Sequence, residues 1–164
     1  MKNIFLLIIL FLATTVFGQT KDRRAELEVT GRVEEISVSP DGKIWLTTAV
    51  GKTYYCNHID SVWHYGKPLY FSDDMFYNFS PWLERITFFN KDTAIITGNI
   101  SFDKETLINN GYYLTKDGGI TWELRNYGGN SWIYTICNVH LGNAWMGGLE
   151  KELYYTHDYG MTWN

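Results

Sequence analysis

One octapeptide pattern occurs twice in this chain, and its place in a longer repeat constrains the fold more than any other feature. Residues 115–122 read TKDGGITW and residues 156–163 read THDYGMTW, so Thr, Asp, Gly, Thr and Trp recur at the same offsets. Each octapeptide follows closely on a pair of tyrosines, at 112–113 and at 154–155. A turn repeated in this way indicates a chain built from similar supersecondary units.

Apolar residues also recur along the chain at a fixed interval. Two series are spaced by 50 residues, namely Ile36, Ile86 and Ile136, and Trp45, Ile95 and Trp145. Each unit reads as an apolar strand, a polar turn, a second apolar strand, a third strand that begins at a tyrosine pair, and a fourth that begins at a tryptophan. Repeated four-stranded antiparallel units of this length are typical of propeller blades, whereas helical repeats would need a sustained 3.6-residue period. A β-sandwich is the alternative.

The predicted fold class is therefore all-β, an incomplete β-propeller of about three four-stranded antiparallel blades. The units are a signal peptide at 1–18, an N-terminal strand or linker at 19–30, blade 1 at 31–80, blade 2 at 81–130, and blade 3 at 131–164 with its last strand missing. Because propellers close with four to eight blades, three blades leave an open blade edge. The sequence favours the first part of a larger propeller or a truncated gene product, and self-association of copies through the open edge is the alternative.

The N-terminus has the pattern of an export signal. Lys2 precedes an apolar run from Ile4 to Phe17, and small or short residues end the run before Gln19. The run is short for a membrane span, which needs about 20 residues, although an uncleaved anchor is the alternative. We expect a cleaved signal peptide, a secreted or periplasmic location and no membrane insertion after cleavage.

The charge balance narrows the class of partner. Removing residues 1–18 leaves 146 residues (164 minus 18), with 13 basic and 18 acidic side chains and a formal net charge of −5. A mildly acidic surface disfavours nucleic acid as a partner. The partners predicted are a protein or carbohydrate ligand.

The octapeptides have the chemistry of tight turns between strands. Glycine at their fifth position, Gly119 and Gly160, tolerates the positive φ that such a turn needs, and aspartate accepts backbone N–H groups. The tryptophans are expected to bring apolar surface into the layer between blades. The residues predicted to have this structural role are Thr115, Asp117, Gly119, Thr121 and Trp122, with Thr156, Asp158, Gly160, Thr162 and Trp163.

Both octapeptides resemble the Asp-box, the S/T-x-D-x-G-x-T-W motif of the BNR repeat family. That family includes sialidase-like, sortilin-like and photosystem II assembly-factor-like propellers, in which the Asp-box is a structural turn away from the ligand-binding face. The resemblance implies that Asp117 and Asp158 are not catalytic. Blade 1 departs from the motif, because Cys56, His58, Asp60 and Val62 stand in the place of Thr, Asp, Gly and Thr.

No constellation for catalysis is evident in the sequence. A sialidase-like hydrolase needs an arginine cluster and a Tyr–Glu pair, and the segment nearest to that family's Arg-Ile-Pro motif, Arg85-Ile86-Thr87, lacks the proline. The four histidines lack metal-ligand spacing. We therefore predict no catalytic, cofactor-binding or metal-binding residues.

Aromatic residues near the end of blade 1 are the candidate binding residues. They are Phe76, Tyr77, Phe79 and Trp82. Exposed aromatic rings can stack on sugars or seat a peptide, while the alternative is that they fill space between blades. Cys56 and Cys137 lie on strands too far apart for a bridge, so two free thiols are expected.

The sequence favours an exported, non-catalytic propeller module that binds protein or glycan. Two alternatives remain open: part of an exo-sialidase-like glycoside hydrolase, and an assembly-factor-like scaffold for another exported protein.

Overall fold

Strands and turns make up the part of the chain that the structure describes. A computed structural model describes residues 29–58, 62–66, 81–101 and 110–164, and it shows strands and no helix among them. The strand segments are rich in β-branched and aromatic residues, which favour a pleated backbone. The strands are β1 Val33–Val38, β2 Ile44–Thr48, β3 Thr53–Cys56, β4 His64–Tyr65, β5 Trp82–Phe88, β6 Ala94–Asn99, β7 Gly111–Thr115, β8 Glu123–Asn126, β9 Ile133–His140, β10 Asn143–Gly148 and β11 Leu153–Thr156.

The strands form three antiparallel sheets in which neighbours in space are also neighbours in sequence. The orders are β1-β2-β3-β4, β5-β6-β7-β8 and β9-β10-β11. We refer to these sheets as blades 1, 2 and 3. The prediction of an all-β, incomplete propeller is confirmed, with a third blade of three strands.

Two hydrophobic clusters join the blades. The first is formed by Trp45 of blade 1 with Leu83, Ile86, Ile96 and Tyr113 of blade 2. The second joins blade 2 to blade 3 and contains Ile95, Tyr112, Leu114, Ile133, Ile136 and Met146. Fully burying a large apolar side chain contributes about 1.5–3 kcal/mol, so these clusters hold the blades together.

The first strand of each blade lies at the closest approach between blades. Strand β5 packs against β1 and β2, and β9 packs against β5 and β6. Hydrogen bonds cross these contacts: the Glu35 carboxylate accepts from the Ile86 N–H, and Asn138 Nδ2 donates to the Phe88 carbonyl oxygen at 2.8 Å. The first strands therefore converge on one side of the molecule. In the described ranges no helix is long and apolar enough to span a membrane.

Candidate functional site

The octapeptide of blade 2 forms a turn closed by its own side chains. Thr115 Oγ1 accepts from the Gly119 N–H at 2.9 Å and donates to Asp117 Oδ1 at 2.8 Å. The Asp117 carboxylate in turn accepts from the Thr121 N–H at 2.9 Å and from Thr121 Oγ1 at 2.5 Å. The side-chain oxygens of threonine and aspartate thus bind the turn itself.

The octapeptide of blade 3 repeats this geometry. Thr156 Oγ1 accepts from the Gly160 N–H at 3.0 Å and donates to Asp158 Oδ1 at 2.7 Å, and Asp158 Oδ2 accepts from Thr162 Oγ1 at 2.6 Å. Partial burial raises the pKa of Asp158, but hydrogen bonds from Thr162, Thr156 and the Met161 N–H together lower it to about 2. The carboxylate is held charged by the turn, which is the opposite of what a general acid requires.

The glycines of the two turns rest on the preceding blade. Gly119 has a φ of 87° and Gly160 a φ of 77°, in the left-handed region that favours glycine. A Cβ at Gly119 would lie 2.2 Å from the Trp45 ring, and one at Gly160 would lie 2.1 Å from Ile95 Cδ1. Trp45 and Ile95 occupy the same position in their blades, so the two joints are built alike.

The tryptophans that end the octapeptides also pack between blades. Trp122 contacts Trp45 edge to face at 6.3 Å between ring centroids, and Trp163 contacts Tyr112 in the same manner at 6.2 Å. Both rings therefore lie in the layer between blades. Both turns therefore have a sufficient structural explanation.

The predicted binding aromatics fall into two groups. Phe76, Tyr77 and Phe79 lie outside the described residues. Trp82 begins β5 and is half-buried, with the Arg32 guanidinium 5.0 Å from its ring centroid. A cation over an aromatic face is attracted by about 0.5–1 kcal/mol at exposed sites.

Three β-bulges lie at the start of the first strands, and their residues form the candidate site. In blade 1 the register slips between Val33 and Glu35, which leaves Glu34 as the extra residue. The same slip leaves Glu84 extra in blade 2 and Tyr134 extra in blade 3. Bulges re-aim side chains and are frequent beside active sites.

Arg32, Trp82 and Trp132 each stand two positions before a bulge residue. With the bulge residues they provide charged and aromatic side chains. We define the bulge cluster as Arg32, Glu34, Trp82, Glu84, Trp132 and Tyr134. Arg32 Nε pairs with Glu34 Oε1 at 2.6 Å, and the Trp132 and Tyr134 rings meet at 5.9 Å. The Arg32 side chain is 65% exposed. This surface offers guanidinium donors, carboxylate acceptors and half-exposed rings to a ligand.

The carboxylates of the bulge cluster influence one another. Burial raises the pKa of Glu84, the nearby Glu34 raises it further, and Arg85 and Arg32 oppose the shift. Glu35, beside the cluster, also has a raised pKa, chiefly because it is buried, although its hydrogen bond from the Ile86 N–H opposes this. Glu84 is thus easier to protonate than an ordinary surface glutamate.

Of the residues in the bulge cluster, Trp82 alone was predicted from the sequence as a binding residue. A signal was present, because positions 34, 84 and 134 follow the same 50-residue interval as Ile36, Ile86 and Ile136. A bulge, however, is a property of pairing between two strands. The extra residue of a bulge can be identified when the pairing register with the partner strand is known.

The two cysteines lie outside the bulge cluster. Cys56 is buried and Cys137 is exposed, and both are free, as predicted. Within the described ranges, no group of three or more His, Cys, Asp or Glu side chains is placed to hold a metal ion.

Comparisons with known proteins identify structural neighbours. No protein-family model matches the chain, and no curated protein sequence matches it. The solved structure of YCF48 bound to D1 peptide superposes with a TM-score of 0.65 at 16% identity, covering 84% of this chain and 41% of that one. YCF48 from Cyanidioschyzon merolae gives a TM-score of 0.63 at 15% identity, with 85% and 38% covered.

A glycoside hydrolase structure is also similar in fold. An ancestral GH74 enzyme superposes with a TM-score of 0.58 at 16% identity, covering 82% of this chain and 19% of that one. The chain thus spans less than half the length of the YCF48 structures and about a fifth of the enzyme. At such low identity the likeness shows the fold alone, and the fold is that of an incomplete β-propeller.

Proposed function

We propose that this chain is a non-catalytic propeller module that binds an extended segment of another protein. The observation that carries the proposal is the bulge cluster, in which equivalent positions of neighbouring blades present charged and aromatic side chains side by side. The YCF48 structure similar in fold was solved with a D1 peptide bound, which supports a peptide as the ligand class.

The chemistry of the bulge cluster suits a peptide. Aromatic side chains and arginine carry much of the binding energy at protein interfaces. The Arg32 guanidinium, 65% exposed, can donate to backbone or side-chain carbonyl groups, and Glu84 can accept from N–H groups or bind a basic side chain. Glu34 is 12% exposed and holds Arg32 in place. The first strands are also the edges of their sheets, and an extended peptide can add to a sheet edge. On β5 the Ile86 N–H and the Phe88 carbonyl oxygen are already used in contacts between blades.

The resemblance to Asp-box propellers supports the same proposal. In those proteins the octapeptide is a structural turn, and the hydrogen bonds of Thr115 and Asp117 here are made within the turn. Binding then falls to other surfaces of the blades. A module that holds a segment of another exported protein would also serve as an assembly scaffold.

The location remains a proposal as well. Residues 1–18 lie outside the described residues, and their signal-peptide pattern supports export to a secreted or periplasmic location. N-terminal sequencing of the exported protein is expected to begin at Gln19. A start at Met1 in membrane fractions would favour the anchor instead.

Panning a phage-displayed library of linear peptides on the purified chain tests the binding proposal. We expect enriched peptides whose affinity falls about tenfold or more in Trp132→Ala and Arg32→Ala, since aromatic and arginine anchors dominate such contacts. Lys116→Ala, in the exposed part of a turn away from the cluster, is the matched control. A glycan array is probed in parallel, and retention of glycans without peptides would contradict protein binding.

A hydrolase is the second candidate, and one observation favours it. Glu84 has a raised pKa beside Glu34, and pairs of carboxylates in unlike environments carry out glycoside hydrolysis. Turnover of a fluorogenic sialoside or another glycoside by the chain, abolished in Glu84→Gln, would replace the binding proposal with this one.

A further inference from the structure

Large apolar side chains are exposed mainly on the two end blades. Of the thirteen exposed large hydrophobic residues in the described ranges, Ile120 belongs to blade 2 and the rest belong to blades 1 and 3. Those on blade 1 are Val33, Ile36, Val38, Val62 and Tyr65, and those on blade 3 are Val139, Leu141, Trp145, Leu149, Leu153, Tyr155 and Tyr159. Exposed apolar surface gathered in this way marks an interaction site.

On blade 3 the exposed residues of β10 and β11, namely Trp145, Leu153 and Tyr155, lie on one face of the sheet, whereas Tyr159 contacts Phe89 of blade 2. Side chains alternate along β10 and β11, so Met146 points into the cluster shared with blade 2 while Trp145 and Tyr155 point away from it. Trp145 and Tyr155 are paired across the two strands, and their rings lie 5.3 Å apart. We call this surface the open face of blade 3.

On blade 1 the exposed residues of β1 lie on the opposite side. Ile36 pairs with Leu46, and Ser37 pairs with Trp45, which faces blade 2. Ile36 and Val38 therefore point away from blade 2 and are both more than half exposed. We call this surface the open face of blade 1.

The two internal joints show what each open face is built to meet. Ile86 and Ile136, the equivalents of Ile36, are buried in the first and second clusters. Trp45 and Ile95 are the equivalents of Trp145 in blades 1 and 2. Trp45 is buried in the first cluster and Ile95 in the second. The open faces of blades 1 and 3 are thus the two halves of one further joint.

We propose that a second copy of this chain covers both open faces, with blade 3 of each copy packed on blade 1 of the other. The arrangement has two identical joints related by a two-fold axis, which is how soluble oligomers most often close. Two copies of three blades give six, within the range in which propellers close. The proposal is independent of the peptide-binding function.

The joint between copies differs from the internal joints in one respect. Blade 1 carries Cys56, His58 and Val62 where the intact turns have Thr, Asp and Thr, so its sequence lacks the hydroxyl and carboxylate groups that shape those turns. Gly119 packs on Trp45 and Gly160 packs on Ile95, but no equivalent glycine contact is expected on Trp145. We expect a dimer that dissociates on dilution.

Sedimentation velocity on the chain without its predicted signal peptide tests the proposal over a range of concentrations. We expect a monomer–dimer equilibrium, and dimer dissociation constants raised about a hundredfold or more in Trp145→Asp and Ile36→Asp, because each buries an unpaired carboxylate in the joint. Ile120→Asp is the matched control, since Ile120 is 74% exposed on the middle blade and should leave the dimer unchanged. Circular dichroism confirms that each variant is folded.

Mixing the two variants distinguishes this arrangement from any other dimer. Neither variant alone has an intact joint, but a mixture of Ile36→Asp with Trp145→Asp can form one joint from the two unmodified faces. We expect a heterodimer in the mixture that neither variant forms alone. A chain that stays monomeric at its highest soluble concentration, or a mixture with no heterodimer, would overturn the proposal.

Discussion

Trp45 and Trp145 occupy the same register position in blades 1 and 3, yet Trp45 is 1% exposed and Trp145 is 45% exposed. Each stands in the second strand of its blade, and each ring contacts a tyrosine ring of the third strand, Tyr55 or Tyr155. The blades around them are therefore alike. The difference comes from the next blade, because Gly119 and Trp122 of blade 2 cover Trp45.

Burial of equivalent residues in a repeat protein is therefore decided by contacts between units. A blade supplies one face and relies on its neighbour for the cover, as in other repeat architectures where each unit contacts its neighbours alone. The octapeptide turn is the part that provides the cover. Its glycine can approach either a flat indole ring or an aliphatic chain, so the receiving residue is free to vary.

Replacing Trp45 or Trp145 with alanine is predicted to give the largest difference in stability between equivalent positions. Trp45→Ala is expected to cost about 4 kcal/mol of unfolding free energy, since it leaves a large cavity in a packed cluster. Trp145→Ala in dilute monomer should cost less than about 1 kcal/mol, as is usual at exposed sites. Urea unfolding measures both, and equal losses would show that the blades are stabilised individually.

Alanine at the two turn glycines sharpens the comparison further. Gly119→Ala should cost about 3 kcal/mol, because it combines a positive φ with a clash against a rigid ring. Gly160→Ala should cost about 2 kcal/mol, because its clash is with the end of the flexible Ile95 side chain. Thermal or urea unfolding ranks the two.

A double variant separates the two causes at Gly119. With the ring removed in Trp45→Ala, Gly119→Ala should lose most of its clash and retain the backbone penalty, a coupling that a double-mutant cycle detects. Simple additivity would mean that the Gly119 contact with the ring contributes nothing.

The sequence was informative about units and turns because both follow local patterns. The three sheets, the positive φ of Gly119 and Gly160, and the inward position of Trp122 depend on residues close together in the chain. The bulge cluster could not be predicted in this way, because it depends on the pairing register between strands. The exposure of Trp145 could not be predicted either, because it depends on which blade lies next to it. Tyr159 adopts a φ of 62° at the position where the other octapeptide has Gly118, so the two turns keep the same backbone with different residues.

The smallest predicted effect is a loss of folding stability at low pH. The folded pKa of Asp158 is about 2, below its ordinary value of 3.8, so its contribution to stability is complete above about pH 4 and is lost as the pH falls towards 2. Asp158→Asn should cost about 1 kcal/mol at neutral pH, discounted for partial exposure, and should flatten this acid dependence. Unfolding midpoints measured between pH 5 and pH 2 follow the change. An unchanged acid profile would contradict the role of the carboxylate.

The two thiols also provide an internal chemical reporter. Cys137 projects from the same face as Trp145, whereas Cys56 is buried, and burial raises the pKa of the Cys56 thiol above its ordinary value. The thiolate is the reactive form, so an alkylating reagent should modify Cys137 long before Cys56. The rate of labelling at Cys137 then reads out directly whether another blade shields that surface, with Cys56 as the built-in measure of unfolding.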